Sequence, residues 1–113
     1  MTKAMHPDIA ELANRIDATA TLLYSFGEQH WGSWLAKDAA TIRNLDLRGV
    51  EHFLGAFGGM GSINDLVICQ LNGHKIAEEQ VDTANNKLRS LLSEATALAR
   101  KLYAEEVGIK HGA

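Results

Sequence analysis

Residues 81–102 read VDTANNKLRSLLSEATALARKL, and in them Val81, Ala84, Leu88, Leu91, Ala95, Leu98 and Leu102 follow one another at steps of three and four without exception. That is the period of a helical seam packed along an antiparallel neighbour or in a coiled coil. It predicts a helix over about 77–107, ended by Gly108, which at 1.5 Å per residue would reach roughly 45 Å. A short bundle needs less length than this. The excess serves either a second copy of the chain, paired through the same seam as a homodimer, or an N-terminal helix lying along the full span.

The N-terminal half supplies the other helices. Pro7 and Asp8 suit a helix start, because the fixed φ of proline fits the first helical position and an early carboxylate complements the positive end of the dipole. Ile9, Leu12, Ala13, Ile16, Ala20 and Leu23 then form one stripe, Glu11, Asn14, Arg15 and Asp17 cover the other side, and Gly27 stops the helix. A second helix, about 28–44, turns Trp31, Trp34, Leu35, Ala39 and Ile42 inward and Lys37, Asp38 and Arg43 to the wet side; the two tryptophans are expected as core anchors. Asp46 caps a third, carrying Leu47, Val50, Phe53, Leu54 and Phe57 and closed by Gly58. Gly49 and Gly55 inside it suggest close packing against a neighbour. The fold expected is all-α, a compact bundle of about four helices forming a single domain over 1–113.

Between the third and last helices lies the string Phe57-Gly58-Gly59-Met60-Gly61-Ser62-Ile63-Asn64-Asp65-Leu66. Three glycines in four residues imply positive φ values in succession or a close approach by another backbone or a ligand. Ser62 followed by Asp65 resembles a capping arrangement, while Leu66-Val67-Ile68 is a β-branched apolar run, so a short helical turn that becomes extended is expected, followed by a tight turn at Asn72-Gly73. Gly58, Gly59, Gly61, Ser62, Asn64 and Asp65 form a structural loop, 58–66, whose side chains bond its own amides. The alternative use is a ligand pocket under the loop, lined by His52, Ser62, Asn64 and Asp65, in which Asp65 alone could act as a base. The loop has neither the lysine nor the strand-then-helix context of a phosphate cradle.

The rest of the composition narrows function mainly by exclusion. Net charge is −3, and the 11 basic residues are scattered, with only Arg100 and Lys101 adjacent. Nucleic acid, which wants clustered cations on one face, is not an expected partner. Glu78, Glu79 and Asp82 gather at a helix start, where the dipole accounts for them, though they could also face a basic partner. His6, His30, His52, His74 and His111 show no ligand spacing, so no metal and no cofactor is expected; Glu51-His52 is the best local candidate. Cys69 sits in the apolar run 66–69 as an inert thiol, and neither it nor Ser62 comes with a base, so catalysis is not expected. No basic leader precedes an apolar segment and no apolar run nears the roughly 18 residues of a span, which points to the cytoplasm and away from membranes.

The loop string, with Trp34, Leu35 and Asp38 before it, Leu54-Gly55-Ala56-Phe57 leading into it and Asn72-Gly73-His74 after it, resembles a family of small bacterial proteins classed as a domain of unknown function, over about residues 20 to 100. Its signature is Gly-Gly-Met-Gly-Ser-x-Asn-Asp-Leu. The resemblance implies a bacterial, cytoplasmic protein with no established activity. By analogy of size and style it points to immunity proteins that neutralise toxins. The expectation is therefore a non-enzymatic protein–protein interaction module, in which Asp65, Glu78, Glu79 and Asp82 face the partner.

Overall fold

The computed structural model describes residues 7–58 and 61–110, the last five as backbone only. His6, Gly59 and His111 lie outside the described residues. Four helices carry the architecture: α1 (Pro7–Ser25), α2 (Gln29–Arg43), α3 (Leu47–Leu54) and α4 (Val81–Lys110). Single turns of 3₁₀-helix at Ile63–Asp65, Gln70–Asn72 and Glu78–Gln80 punctuate the connection from α3 to α4, and there is no strand among the described residues.

α1 and α2 form an antiparallel hairpin. Gly27 takes a φ of 85° at the bend, and the Tyr24 hydroxyl donates to Ser33 Oγ at 3.0 Å. At the other end of the hairpin, Arg43 bonds Asp17 and donates to Asn14 Oδ1 at 2.9 Å. α4 runs back along α1, also antiparallel, since Lys101 pairs with Asp8 at 2.8 Å and Arg15 with Glu94 at 3.1 Å. Leu12, Ala13, Ile16, Ala20 and Leu23 of α1 meet Leu35, Ala39 and Ile42 of α2 and Ala84, Leu88, Leu92, Ala95 and Ala99 of α4 in one core. Every apolar position of the α4 seam from Ala84 to Ala95 is thus buried within the chain itself, while Leu98 and Leu102 are half-buried at its edge.

Two helix ends and one burial differ from the sequence expectation. α3 ends at Leu54 with Gly55 as its cap, a turn earlier than Gly58, because the Gly55 and Ala56 amides close the helix on the Glu51 and Phe53 carbonyls. α4 passes through Gly108 to Lys110: one glycine weakens a long helix by only about 1 kcal/mol and need not end it. Asp38, expected on the wet side of α2, is buried. Of the two interior glycines, Gly49 is the one that serves packing. A Cβ there would sit 2.9 Å from Ile42 Cγ1 and 3.0 Å from the Ile42 backbone nitrogen, so α3 crosses α2 closer than any side chain permits.

Candidate functional site

Asp38 lies on the buried face of α2, and α3 crosses that face at Gly49, which brings His52 over it. With the carboxylate ionised, His52 Nδ1 donates its proton to Asp38 Oδ1. The Trp34 indole stacks on a face of the same imidazole, with centroids 4.2 Å apart and planes at 17°. Trp31 and His30 continue the row along α2, Trp31 at 5.1 Å from Trp34 and His30 edge-on to Trp31 at 4.8 Å. The two tryptophans are half-buried, so they are neither pure core nor free surface.

The pair is lopsided. Asp38 is buried while the His52 side chain is 47% exposed, and with Nδ1 committed to Asp38 the other ring nitrogen, Nε2, has no hydrogen-bond partner among the described residues. Asp38 Oδ2 and Trp34 Nε1 are both buried and complete no hydrogen bond, although the indole N–H is near enough to favour the carboxylate anion. Burial dominates: it raises the Asp38 pKa to about 6, against the opposing pull of His52 and of the nearby Lys37 ammonium. An open hollow of about 340 Å³ adjoins the pair, lined by Lys37, Asp38, Thr41, Asp46, Arg48, Gly49 and His52. On its rim Arg48 forks onto Asp46, with Nη2 to Oδ2 at 2.8 Å, and that bond with the Arg48 amide holds the Asp46 carboxyl below its ordinary range.

A second carboxylate–imidazole pair stands at the N-terminal end of α2, where Glu28 precedes Asp38 by 10 residues. Glu28 caps α2 by accepting the Trp31 amide on Oε2 at 2.9 Å, and its Oε1 faces His74 Nε2 at 3.1 Å. His74 Nδ1 accepts the Cys69 amide at 3.1 Å, which fixes the proton on Nε2 and makes that nitrogen the donor to Glu28. The His74 side chain is only 4% exposed. Burial alone would raise the Glu28 pKa, but the Trp31 amide and His74 outweigh it and the net direction is down.

The glycine loop is held by its own groups. Gly58 and Gly61 take φ values of 87° and 79° with nothing near the place of a Cβ, so conformation and not crowding calls for glycine. Asp65 Oδ2 accepts the Gly61 amide at 2.9 Å, the Ile63 amide returns to Ala56 O at 2.9 Å, and Ile63 is buried in the core. Ser62 occupies the cap position but makes no capping bond; its Oγ is buried without a partner. Asn64 is exposed. The hollow beside His52 does not include Ser62, Asn64 or Asp65.

Beyond the loop, the chain is pinned to α4. Asn85 accepts the Ile68 amide at 2.8 Å and donates to the Ile68 carbonyl at 2.9 Å, and Arg89 donates to Leu66 O. Asn72 Nδ2 reaches Val67 O at 2.8 Å and Gln70 Nε2 reaches Ile76 O at 2.7 Å, so the turn is braced from both sides. Leu71 at its tip is 95% exposed and Val67 is exposed beside it. Glu78, Glu79 and Asp82 follow, all exposed, at the start of α4.

A family profile described as a domain of unknown function (DUF6966) matches residues 25–77. The matched span is shorter than the roughly 20–100 of the sequence resemblance. It begins at the last residue of α1 and stops before α4, and so takes in α2, α3, the glycine loop and both carboxylate–imidazole pairs. No curated protein and no solved structure matches the chain. Among the described residues no three histidine, cysteine or carboxylate side chains are gathered to hold a metal ion, and no helix is long and apolar enough to cross a membrane.

Proposed function

We propose that the protein is a non-enzymatic recognition module, a bacterial cytoplasmic inhibitor of the immunity type, whose partner is another protein and specifically a toxin domain. The observation that carries this reading is Leu71. A leucine at 95% exposure is ordinary on a loose loop, but this one crowns a turn braced by Asn72, Gln70 and His74, so little ordering remains to oppose binding. In the sequence on either side of it, Gly61 to Asp82, four carboxylates, Asp65, Glu78, Glu79 and Asp82, stand against Lys75 alone, with Lys87 and Arg89 following on α4. A protruding apolar side chain among acids fits a partner with an apolar pocket rimmed by lysine and arginine, where the charges speed encounter and the leucine holds the complex.

The test is calorimetric titration with the product of the adjacent gene. Leu71→Asp should weaken binding by about 100-fold, and Glu78→Lys with Glu79→Lys by about tenfold, more steeply at low salt. The melting temperature should not move in Leu71→Asp and should fall slightly in the double lysine variant, whose new charges oppose the α4 dipole. No binding by the wild-type chain, or equal binding by Leu71→Asp, would defeat the reading.

A further inference from the structure

The open pair offers chemistry that a recognition surface at Leu71 does not use. We propose that His52 is a phosphoryl-accepting histidine, with Nε2 as the nucleophile and a small acyl phosphate as the donor. Two features of the geometry point there. Nδ1 is committed to the buried Asp38 carboxylate, which fixes the tautomer and leaves the lone pair on Nε2 of a half-exposed ring. The hollow adjoining the pair also carries the Lys37 ammonium, suited to a phosphoryl oxygen, while the Arg48 guanidinium is forked onto Asp46 and has only Nη1 left to offer. Asp46 lines the same hollow, but its charge is already met by the Arg48 Nε and Nη2.

The step balances with the groups present. The Nε2 lone pair forms the N–P bond as the bond from phosphorus to the acyl oxygen breaks, and that electron pair leaves with the carboxylate product. The ring keeps its Nδ1 proton and so becomes cationic, directly against the Asp38 carboxylate. A buried anion that is poorly solvated before the reaction thereby gains a full counter-charge on forming the product. Asp38 is a positioning residue here, since it touches the imidazole and not the donor. A small mixed anhydride suits the site better than a nucleoside triphosphate, because the hollow lacks a glycine-lined phosphate cradle and the glycine loop contributes nothing to it.

The chain carries its own controls: His30 is exposed with no carboxylate hydrogen bond, and His74 is sealed with both ring nitrogens engaged. The experiment is incubation of the intact protein with acetyl phosphate, with ³¹P NMR and peptide mass spectrometry to locate the acid-labile adduct. Labelling of His52 at Nε2 should outrun His30 by about tenfold or more, and His74 should stay unmodified. Asp38→Asn should slow His52 labelling by about tenfold, and ¹⁵N shifts of the ring should change from one dominant Nδ1–H tautomer to a mixture. Lys37→Met should slow it several-fold with the tautomer unchanged. Equal rates at His30 and His52 in the wild-type chain, no adduct, or an undiminished rate in Asp38→Asn would each overturn the proposal. The first two are read without any variant, so they decide even if Asp38→Asn fails to fold. None of these outcomes bears on binding at Leu71.

Discussion

The two carboxylate–imidazole pairs are built from the same groups and differ in which partner is hidden. In Glu28–His74 the imidazole is buried and both its nitrogens are spoken for, while the carboxylate collects a helix amide as well. In Asp38–His52 the carboxylate is buried with one oxygen orphaned, and the imidazole is the group that reaches water. A sealed ring with every atom satisfied is a rivet joining the start of α2 to the 69–76 turn. An exposed ring held by a desolvated acid keeps a free nitrogen at the cost of an unfavourably buried charge. The contrast shows that pairing alone does not mark a reactive histidine; the burial of each partner does.

The largest expected difference comes from removing the rivet. His74→Ala leaves the Cys69 amide and a Glu28 oxygen without partners and opens a cavity, and should destabilise the chain by about 3 kcal/mol in urea unfolding. A loss under about 1 kcal/mol would mean that Asn72, Gln70 and Asn85 hold the turn without it. Next in size, and opposite in sign, is Asp38→Asn. Ionising Asp38 in the fold is penalised by its rise from 3.8 to about 6, worth up to about 3 kcal/mol at pH 7.5, so the neutral amide should be stabilising by about 2 kcal/mol. Glu28→Gln should do the reverse and cost about 1 kcal/mol, because the fold favours that carboxylate as an anion.

The same asymmetry fixes the pH response of each pair. For Asp38 the folded state binds its proton more tightly than the unfolded one, so between about pH 4 and pH 6 the native chain carries the extra proton and stability falls as pH rises, levelling off above 6. For Glu28 the folded value is depressed, so its contribution is present above the ordinary 4.5 and is lost as pH falls through the folded value. Subtracting the Asp38→Asn curve from the wild-type curve isolates the first effect. A difference that does not change between pH 4.5 and pH 7 would show that Asp38 is not desolvated.

The bundle was legible because periodicity survives whatever the side chains do: the α1 stripe from Leu12 to Leu23 and the α4 seam from Ala84 to Ala95 are buried where their spacing put them, and Ile9, Val81, Leu98 and Leu102 beyond them are half-buried. The site was legible only in part. Leu35, Asp38, Ala39 and Ile42 fall on steps of three, one and three, a buried helical face in spacing, and residue type argued against the spacing for Asp38 alone. The position of an acid on an apolar stripe was the available signal. His52 was noticed for its neighbour Glu51, whereas its partner comes from another helix, through a crossing set by Gly49 that local sequence does not specify. The Glu28–His74 contact, 46 residues apart, left no trace in spacing. Asp65 did close the glycine loop on its own amide, as a short carboxylate beside glycines suggests.

Two substitutions sharpen the comparison without touching either pair. Gly49→Ala pushes a methyl into Ile42 and Thr41, and because the Ile42 contact includes backbone, α3 must lift from α2. It should cost about 2 kcal/mol and lengthen the His52–Asp38 bond while leaving Glu28–His74 alone, visible as a changed imidazole ¹⁵N shift at His52 only. The smallest effect concerns the link between those helices. Leu45 holds a φ of 61°, the left-handed value that normally falls to glycine after a helix, and its side chain is exposed and so gains little from burial in return. Its amide donates to Ile42 O at 2.9 Å and the Asp46 amide to Thr41 O at 3.3 Å, so this conformation ends α2 and aims α3 across Asp38. Leu45→Gly relieves the backbone strain and gives up the lower unfolded-state entropy of leucine, which leaves a net gain of about 0.5 to 1 kcal/mol. The His52 signals should stay where they are. A loss of stability, or a shift at His52, would mean that the leucine side chain steadies the α2–α3 crossing, and that the open pair depends on more of its surroundings than the sealed one does.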